Sequence, residues 1–372
     1  MPTQNEFIRL SIGGASYETW AGWSVESDLL TPADGFELEL YSKQVVRLPK
    51  VLAEGAPCTL TLSGDTVLTG QIDEFEHDVS RQGIALRITG RDMAAALVDC
   101  SCPFVAAREV SLQQIIDLVV KPLGAYQVEI RAPKGADTRR RVQIEPGQTA
   151  WEALLQVAEV NGLWPWVEPD GRLIIGGPDY TAPPVGALIL REDGVGNNVQ
   201  RLSVRRSIAN RFSQITVLGQ HGQYDNDGLD TSRSHVRSVI QDETLARRGI
   251  FRPKVVIDSA CENQDIAKTR ATKLLADSKL DSFEGRAIVA GHRAPNGQIW
   301  APGQRVVVRS EPHGIDAIYF LMARTLRLSR GEGAITELRL REDKTWVIDG
   351  AKVKKHKKGN EDAGFIQQIK GY

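Results

Sequence analysis

The sequence predicts an α+β protein that is mainly β: two small β-barrel or sandwich regions, with α/β segments inserted. Short alternating apolar runs, broken by turn residues roughly every eight to twelve positions, fill the first hundred residues and return after Val199. Between them, two capping-box spacings each open an apolar stripe of helical period. At 372 residues the chain is also too long for one ordinary core.

The first hundred residues read as a meander. Phe7 to Ile12 is a strand ended by Gly13-Gly14, and Tyr17 to Val25 returns antiparallel to it. Phe36, Leu38 and Leu40 alternate with Glu37 and Glu39, the period of a strand with one buried face. Thr59 to Leu62 and Thr66 to Phe75 flank Ser-Gly-Asp, a compact hairpin signal. Ile84, Leu86 and Ile88 alternate again after an Arg-Gln-Gly turn.

The middle changes character. Ser111 and Gln114 have capping-box spacing, with Leu112, Ile115, Ile116 and Val119 on one helix face and Pro122 and Gly124 as stops. A strand, Tyr126 to Arg131, precedes a basic loop, Lys134 to Arg141. Thr149 and Glu152 repeat the capping box, and Trp151, Leu154, Leu155 and Ala158 line one face of a helix that ends at Gly162. Strands Leu163–Val167 and Arg172–Ile175 flank a Glu-Pro-Asp-Gly turn.

A Pro/Gly-rich join, Gly176 to Gly186, leads to strands from Val199, where Leu202, Val204 and Arg206 are expected to pair with Phe212 to Leu218. A helix from Gln264 to Lys279 puts Ile266, Ala267, Arg270, Leu274 and Leu275 on one side. Glu284–Gly291, Arg305–Arg309, Ala317–Leu328 and Ala334–Arg341 read as strands, the last two joined across Ser329 to Gly333. The expected domains are 1–103 (β), 104–180 (α/β), 181–345 (β, with an insertion at about 220–283) and a basic, flexible tail, 346–372.

Composition narrows the function. With 41% hydrophobic and 25% charged residues, the chain matches a soluble globular protein. No apolar run approaches the roughly 18 residues of a membrane helix, and the N-terminus lacks a signal-peptide pattern. The expectation is a protein made in a cytoplasm, without membrane insertion. The net charge of −1 gives the whole no attraction to nucleic acid, but residues 351–372 carry +4, leaving −5 on the rest.

Positive signals for catalysis or metal binding are absent. Cys58, Cys100, Cys102 and Cys261 are too few and too scattered for a disulfide scaffold or a zinc site. Tyr224 to Asp230 resembles a calcium loop, but Gly228 falls at the fourth position from Asp225 and the twelfth residue is Val236. An exposed turn is the simpler reading. The six histidines show no metal-binding spacing, and no nucleophile elbow, phosphate loop or dinucleotide fingerprint is present. No cofactor is expected, although a two-carboxylate site would be invisible at this level. Trp20 and Trp23 fall in a predicted strand, and Trp164 and Trp166 flank Pro165. Such pairs fill cores and interfaces more often than they stack sugars. Lys352, Lys354, Lys355, Lys357 and Lys358 form a basic run, followed by Phe365 and Ile366. A solvated terminus is the default for that composition, and the apolar residues favour an arm that orders on a partner protein.

One further pattern is Gly297 to Val308, where Trp300-Ala-Pro302-Gly303 feeds an aliphatic strand. With the module at Gln148–Gly176 and the order of parts, the chain from Phe7 to about Val347 resembles the baseplate hub proteins of Mu-like contractile-tailed phages, in the late-control D group. The linear arrangement carries the resemblance. It implies a structural, non-enzymatic virion protein of the tail baseplate, assembled in the host cytoplasm. It also implies two tube-type barrels per chain and a homotrimer of pseudo-sixfold symmetry. Such a ring would join the tail tube protein to the central spike protein, touch other baseplate proteins, and let DNA pass through its channel. No catalytic residue is carried over. Two alternatives differ in kind: a carbohydrate-binding or cell-wall-degrading β protein, supported by the tryptophan pairs and the carboxylates, and the hub of a related secretion needle.

Overall fold

The structure, a computed structural model, describes residues 6–43, 51–102, 105–106, 111–124, 126–131, 144, 147–160, 163–219, 236–258, 261, 263–346 and 367–368. The chain is mainly β, with few helices.

Seven strands open it: β1 (Ile8–Ile12), β2 (Ala15–Tyr17), β3 (Gly22–Asp28), β4 (Gly35–Ser42), β5 (Pro57–Leu62), β6 (Asp65–Ser80) and β7 (Gly83–Asp92). Alternation drives them: Ile8, Leu10 and Ile12 are buried, as are Phe36 and Leu38, while their neighbours face out. Ser63 (φ 48°) and Gly64 (φ 101°) form the two-residue turn between β5 and β6, a left-handed pair that glycine makes cheap. The expected strand Tyr17–Val25 is two strands. β2 pairs back on β1, whereas β3 leaves to pair with β4 and a later strand, so residues 18–21 form a link and Trp20 lies outside both.

The α/β unit holds α1 (Ala95–Asp99), β8 (Val105–Ala106), α2 (Leu112–Ile115), β9 (Val128–Arg131), α3 (Ala150–Val160), β10 (Trp164–Val167) and β11 (Leu173–Gly176). Both capping boxes form: Ser111 Oγ accepts from Gln114 N at 3.2 Å, and Thr149 Oγ1 accepts from Glu152 N at 3.1 Å. The helix begun by α2 loosens into a π turn at Ile116–Val120, then tightens before Pro122. Trp151, Leu154 and Ala158 pack with Leu112, Ile115 and Leu173. Gly162 and the Lys134–Arg141 loop lie outside the described residues.

The rest comprises β12 (Ala187–Leu190), β13 (Val199–Arg206), β14 (Gln214–Gly219), β15 (Val236–Gln241), α4 (Glu243–Arg247), β16 (Pro253–Ile257), α5 (Gln264–Ser282), β17 (Phe283–Ala290), β18 (Arg305–Ser310), β19 (Ile315–Ser329), β20 (Gly333–Glu342) and a short β21 (Gln367–Gln368) that pairs with β8. The expected hairpin between Leu202–Arg206 and Phe212–Leu218 does not form. β13 pairs with β17, and β14 is the centre of a separate sheet, β15-β14-β16. The reason lies in burial: Leu202 and Val204 pack on the C-terminal core, whereas Ile215 and Val217 pack under Ala267, Ala271 and Leu275 of α5. β12 lies in the segment read as a join; it pairs in parallel with β18.

Thirteen strands form one sheet, ordered β13-β17-β20-β19-β3-β4-β7-β6-β5-β1-β2, with β18 and β12 branching from β19. The ladder between β3 and β19 splices the two β regions, and no ladder closes either region on itself among the described residues. Two cores lie under this sheet. Leu326 of β19 sits at 0% exposure in the N-terminal core beside Val25 and Leu38. Phe283, Trp300, Tyr319 and Leu338 fill the C-terminal one.

Candidate assembly site

Side chains alternate across a strand, so residues opposite one another in register share a face. On the apolar face lie Val25, Phe36, Leu38 and Leu326, all buried. The register puts the intervening residues on the other face: Arg201 and Arg205 of β13, Arg286 of β17, Glu337 and Arg339 of β20, Thr325 and Arg327 of β19, Glu26 of β3, Glu37 and Glu39 of β4, and Glu74, Glu76 and Asp78 of β6. This charged face grades from basic at the β13 end to acidic at β4 and β6. At the basic end a groove of about 660 Å³ runs past Arg201, Arg205, Arg286 and Arg327, with Glu284, Glu332 and Glu337 interleaved. Local pairs hold the gradient in place: Arg286–Glu284 at 2.6 Å, Arg327–Glu332 at 2.8 Å, Arg339–Asp28 at 3.0 Å and Arg87–Glu37 at 2.6 Å. The Arg87 hydrogen bond holds the Glu37 carboxyl below its ordinary value. Of these, Arg87–Glu37 and Arg327–Glu332 are exposed and each contributes about 0.2–1 kcal/mol, so they fix side-chain direction more than stability.

Strand β13 ends the sheet, with only β17 as a ladder partner among the described residues, and the three-residue β2 ends it on the other side. An unpaired edge is a template for another chain.

Behind the sheet the α/β unit, the β13–β18 region and the chain beyond β20 meet in an aromatic joint. Leu29, Leu280, Phe320, Met322 and Trp346 are buried there, with Trp164, Trp166 and Tyr180 packed against them. Trp164 Nε1 donates to Leu29 O at 2.6 Å, and its ring meets Trp346 edge-on at 5.9 Å. Tyr180 Oη donates to Trp346 O at 2.6 Å. Burial, with the negative charge of Asp343, pushes the Tyr180 hydroxyl well above its usual range. The tryptophan pair that a sugar-binding reading needs is thus a structural joint.

Beside it, a cavity of about 210 Å³ touches Asp34, Asp92, Arg324, Trp151 and Trp166. These two carboxyls are the constellation that the sequence left invisible. Asp92 Oδ1 accepts from Ala94 N at 2.8 Å, shaping the turn into α1, and Asp34 Oδ1 accepts from Asp28 N at 2.9 Å. Burial pushes Asp92 up to about 7, and burial with the charge of Asp92 raises Asp34 well above its ordinary value. Arg324 is 3% exposed and lowered to about 10 by burial; it donates to the carbonyls of Trp300 and Val67. Each group serves the backbone, the signature of a joint.

Of the expected partner-binding residues, Lys352, Lys354, Lys355, Lys357, Lys358, Phe365 and Ile366 all lie outside the described residues, as does the Tyr224–Asp230 loop. Among the described residues no three of His, Cys, Asp and Glu are grouped to hold a metal. Cys58 and Cys261 are buried, and burial pushes their thiols up to about 12 and about 11. No described helix is long and apolar enough to cross a membrane. The charged face was legible as alternation, strand by strand; its continuity across eight strands depended on the β3–β19 splice, for which no local signal exists.

Comparison with known proteins points to one family. Residues 7–92 match the N-terminal domain of Mu phage baseplate assembly proteins of the GpP-like kind, and 94–177 the second domain of gp44-like baseplate hub proteins. Residues 211–275 match the third domain of NMB1110-like tail proteins, and 277–345 a tail protein C-terminal domain. The baseplate hub protein gp44 of Escherichia phage Mu is 24% identical over 370 residues, 97% of this chain and 94% of that protein. A crystal structure of the tail protein from Neisseria meningitidis MC58 is 34% identical, with a TM-score of 0.78 over 92% of this chain and 98% of that one. The 43 kDa tail protein of prophage MuSo2 from Shewanella oneidensis is 26% identical, with the same TM-score over 92% and 100%.

Proposed function

The chain belongs to the Mu-like phage family of tail and baseplate hub proteins, and from that membership we propose that three copies close into a ring joining the tail tube to the central spike. Each copy contributes two curled β units, one on either side of the β3–β19 splice, so a trimer presents six similar units and fits a hexameric tube above and a threefold spike below. The spliced sheet carries this reading: it has one apolar and one charged face and, among the described residues, an unpaired edge at either end. The charged face lines the channel through which DNA passes, where alternating signs and the −5 of the body avoid trapping a polyanion. The α/β unit (104–180) lies outside the ring. The basic tail, 346–372, docks on the spike or another baseplate protein. The role is structural, in the virion, with no catalysis.

The test is the solution mass by native mass spectrometry, with electron microscopy of the same sample. A mass near three times the 40.9 kDa chain, and rings of threefold symmetry, would support the hub. A mass of one chain at high concentration, with glycan binding, would overturn it in favour of a carbohydrate-binding protein.

A further inference from the structure

Among the described residues, two strand edges on different parts of the chain lack a ladder partner, one flanked by cations and one lined by acids. The first is β16, at one side of the sheet β15-β14-β16. Asp258 N donates to Leu218 O, and Arg252 O accepts from Ser213 N, so the even-numbered residues of β16 turn their backbone groups to β14. By alternation, Val255 and Ile257 turn theirs away, with no ladder partner among the described residues. Their side chains face away from α5 and are 60% and 78% exposed; Phe251 (75%) and Val239 (41%) flank them. Four of the chain's exposed large apolar residues thus share one small sheet, where isolated ones would need no explanation. From Arg247 to Lys254 the chain carries four cations and no acid; Arg247 pairs with Glu243 at 3.2 Å, and Arg252 donates to Arg211 O and Ala209 O, which leaves Arg248 and Lys254 without an acidic partner among the described residues.

The second edge is the far half of β6. Strand β5 pairs with β6 only as far as Gln71, and the register slips between Ile72 and Glu74. Beyond that bulge, Glu74–Ser80 keeps β7 on one side and nothing on the other among the described residues. Glu74, Glu76 and Asp78 are exposed, no Lys or Arg falls in the run, and Val79 is 63% exposed. The nearby cation Arg87 is engaged with Glu37.

We propose that β16 of one copy pairs, edge to edge, with Glu74–Ser80 of β6 in a second copy. The inference rests on the ring reading and names a contact that would hold the ring. Main-chain hydrogen bonds extend the small sheet, as in strand addition, while Val255, Ile257 and Val79 leave water and opposite charges set the partner. A β16–β16 pairing would bring like charges together, so the contact is heterologous and repeats head to tail until it closes. Lengths agree: five residues of β16 span roughly 17 Å and seven of β6 roughly 23 Å. The β13 edge is also basic, but none of the exposed large apolar side chains lies on it.

The experiment compares the native mass and dissociation of the full chain with those of Ile257→Asp and of Glu76→Lys/Asp78→Lys. Both sites are exposed, and circular dichroism checks that the fold survives. Each change is expected to raise the apparent dissociation constant of the oligomer about tenfold or more. Combining Glu76→Lys/Asp78→Lys with Arg247→Glu/Arg248→Glu restores association. A wild-type trimer that stays intact in both variants, or that falls apart only with Arg201→Glu/Arg205→Glu on β13, overturns this pairing and leaves the ring standing. A wild-type monomer overturns both.

Discussion

Thr336 gives its only hydroxyl hydrogen to Gly291 O at 2.7 Å, so toward His292 Nδ1, 3.1 Å away, it can only accept. The imidazole is therefore held as the Nδ1–H tautomer. Among the described residues its Nε2 lone pair has no partner, and the ring lies 5.0 Å from that of Trp23. Burial, with the charges of Arg324 and Arg293, lowers His292 to about 4. Between roughly pH 6.5 and 4 the unfolded chain binds a proton that the folded chain refuses, so stability falls as pH drops through that window. Replacing His292 with Asn, which keeps a donor for Thr336, should flatten the fall. Thermal unfolding from pH 7 to 4 measures it; an unchanged slope would show that another group is responsible.

Asp92 has the opposite sign. Its carboxyl is raised to about 7, so the folded chain keeps a proton that the unfolded chain loses above about pH 4. Its contribution is fully present below that point and is lost as pH rises to about 7. Asp92→Asn retains an acceptor for Ala94 N and should stabilise the chain at pH 8, with little gain at pH 4. Equal effects at both values would contradict the shift.

Trp164 tests the aromatic joint. Trp164→Phe removes the bond to Leu29 O and is expected to cost about 1 kcal/mol, whereas Trp164→Ala opens a cavity and costs about 3–5 kcal/mol. Chemical denaturation gives both values. A Trp164→Ala variant that is fully stable but has lost affinity for a glycan would revive the sugar-stacking reading.

Arg305 grips Asp343 with two bonds, 3.0 and 2.7 Å, and donates a third to Ala182 O at 2.9 Å. The pair is nearly buried, with side chains 9% and 13% exposed. Asp343→Ala strands a guanidinium and should cost about 3 kcal/mol, while Arg305→Met with Asp343→Leu should cost much less. Additive losses in a double-mutant cycle would deny the coupling.

Deleting residues 352–372 should leave the oligomer intact and weaken attachment to a spike or baseplate partner. Native mass spectrometry and a pull-down against candidate baseplate proteins read the two effects separately. Loss of the oligomer would assign the tail to self-association instead.

Much of this fold was legible because its determinants are local. The capping boxes at Ser111 and Thr149, the Ser63-Gly64 turn and the alternation along β4, β7 and β20 all appear as spaced residues. Errors arose where a strand had two suitors. The Tyr17–Val25 run is apolar enough for one strand, but its halves serve different neighbours. Leu202 and Val204 alternate well enough to pair with β14, yet their burial is decided by β17, about 80 residues later. Asp34, Asp92 and Arg324 come from three segments, each unremarkable alone. The Trp164–Leu29 bond likewise joins residues 135 apart.

The splice between β3 and β19 also sets a timetable for synthesis. Trp23 and Leu328 lie opposite one another, so the N-terminal core lacks its Leu326 wall until more than three hundred residues have been made. At about 5–20 residues per second that takes roughly 15–65 s. For that interval the β3 edge must wait beside the ribosome for its partner. A chain cut short before β19 would present that seam to its neighbours indefinitely, making premature termination a route to aggregation.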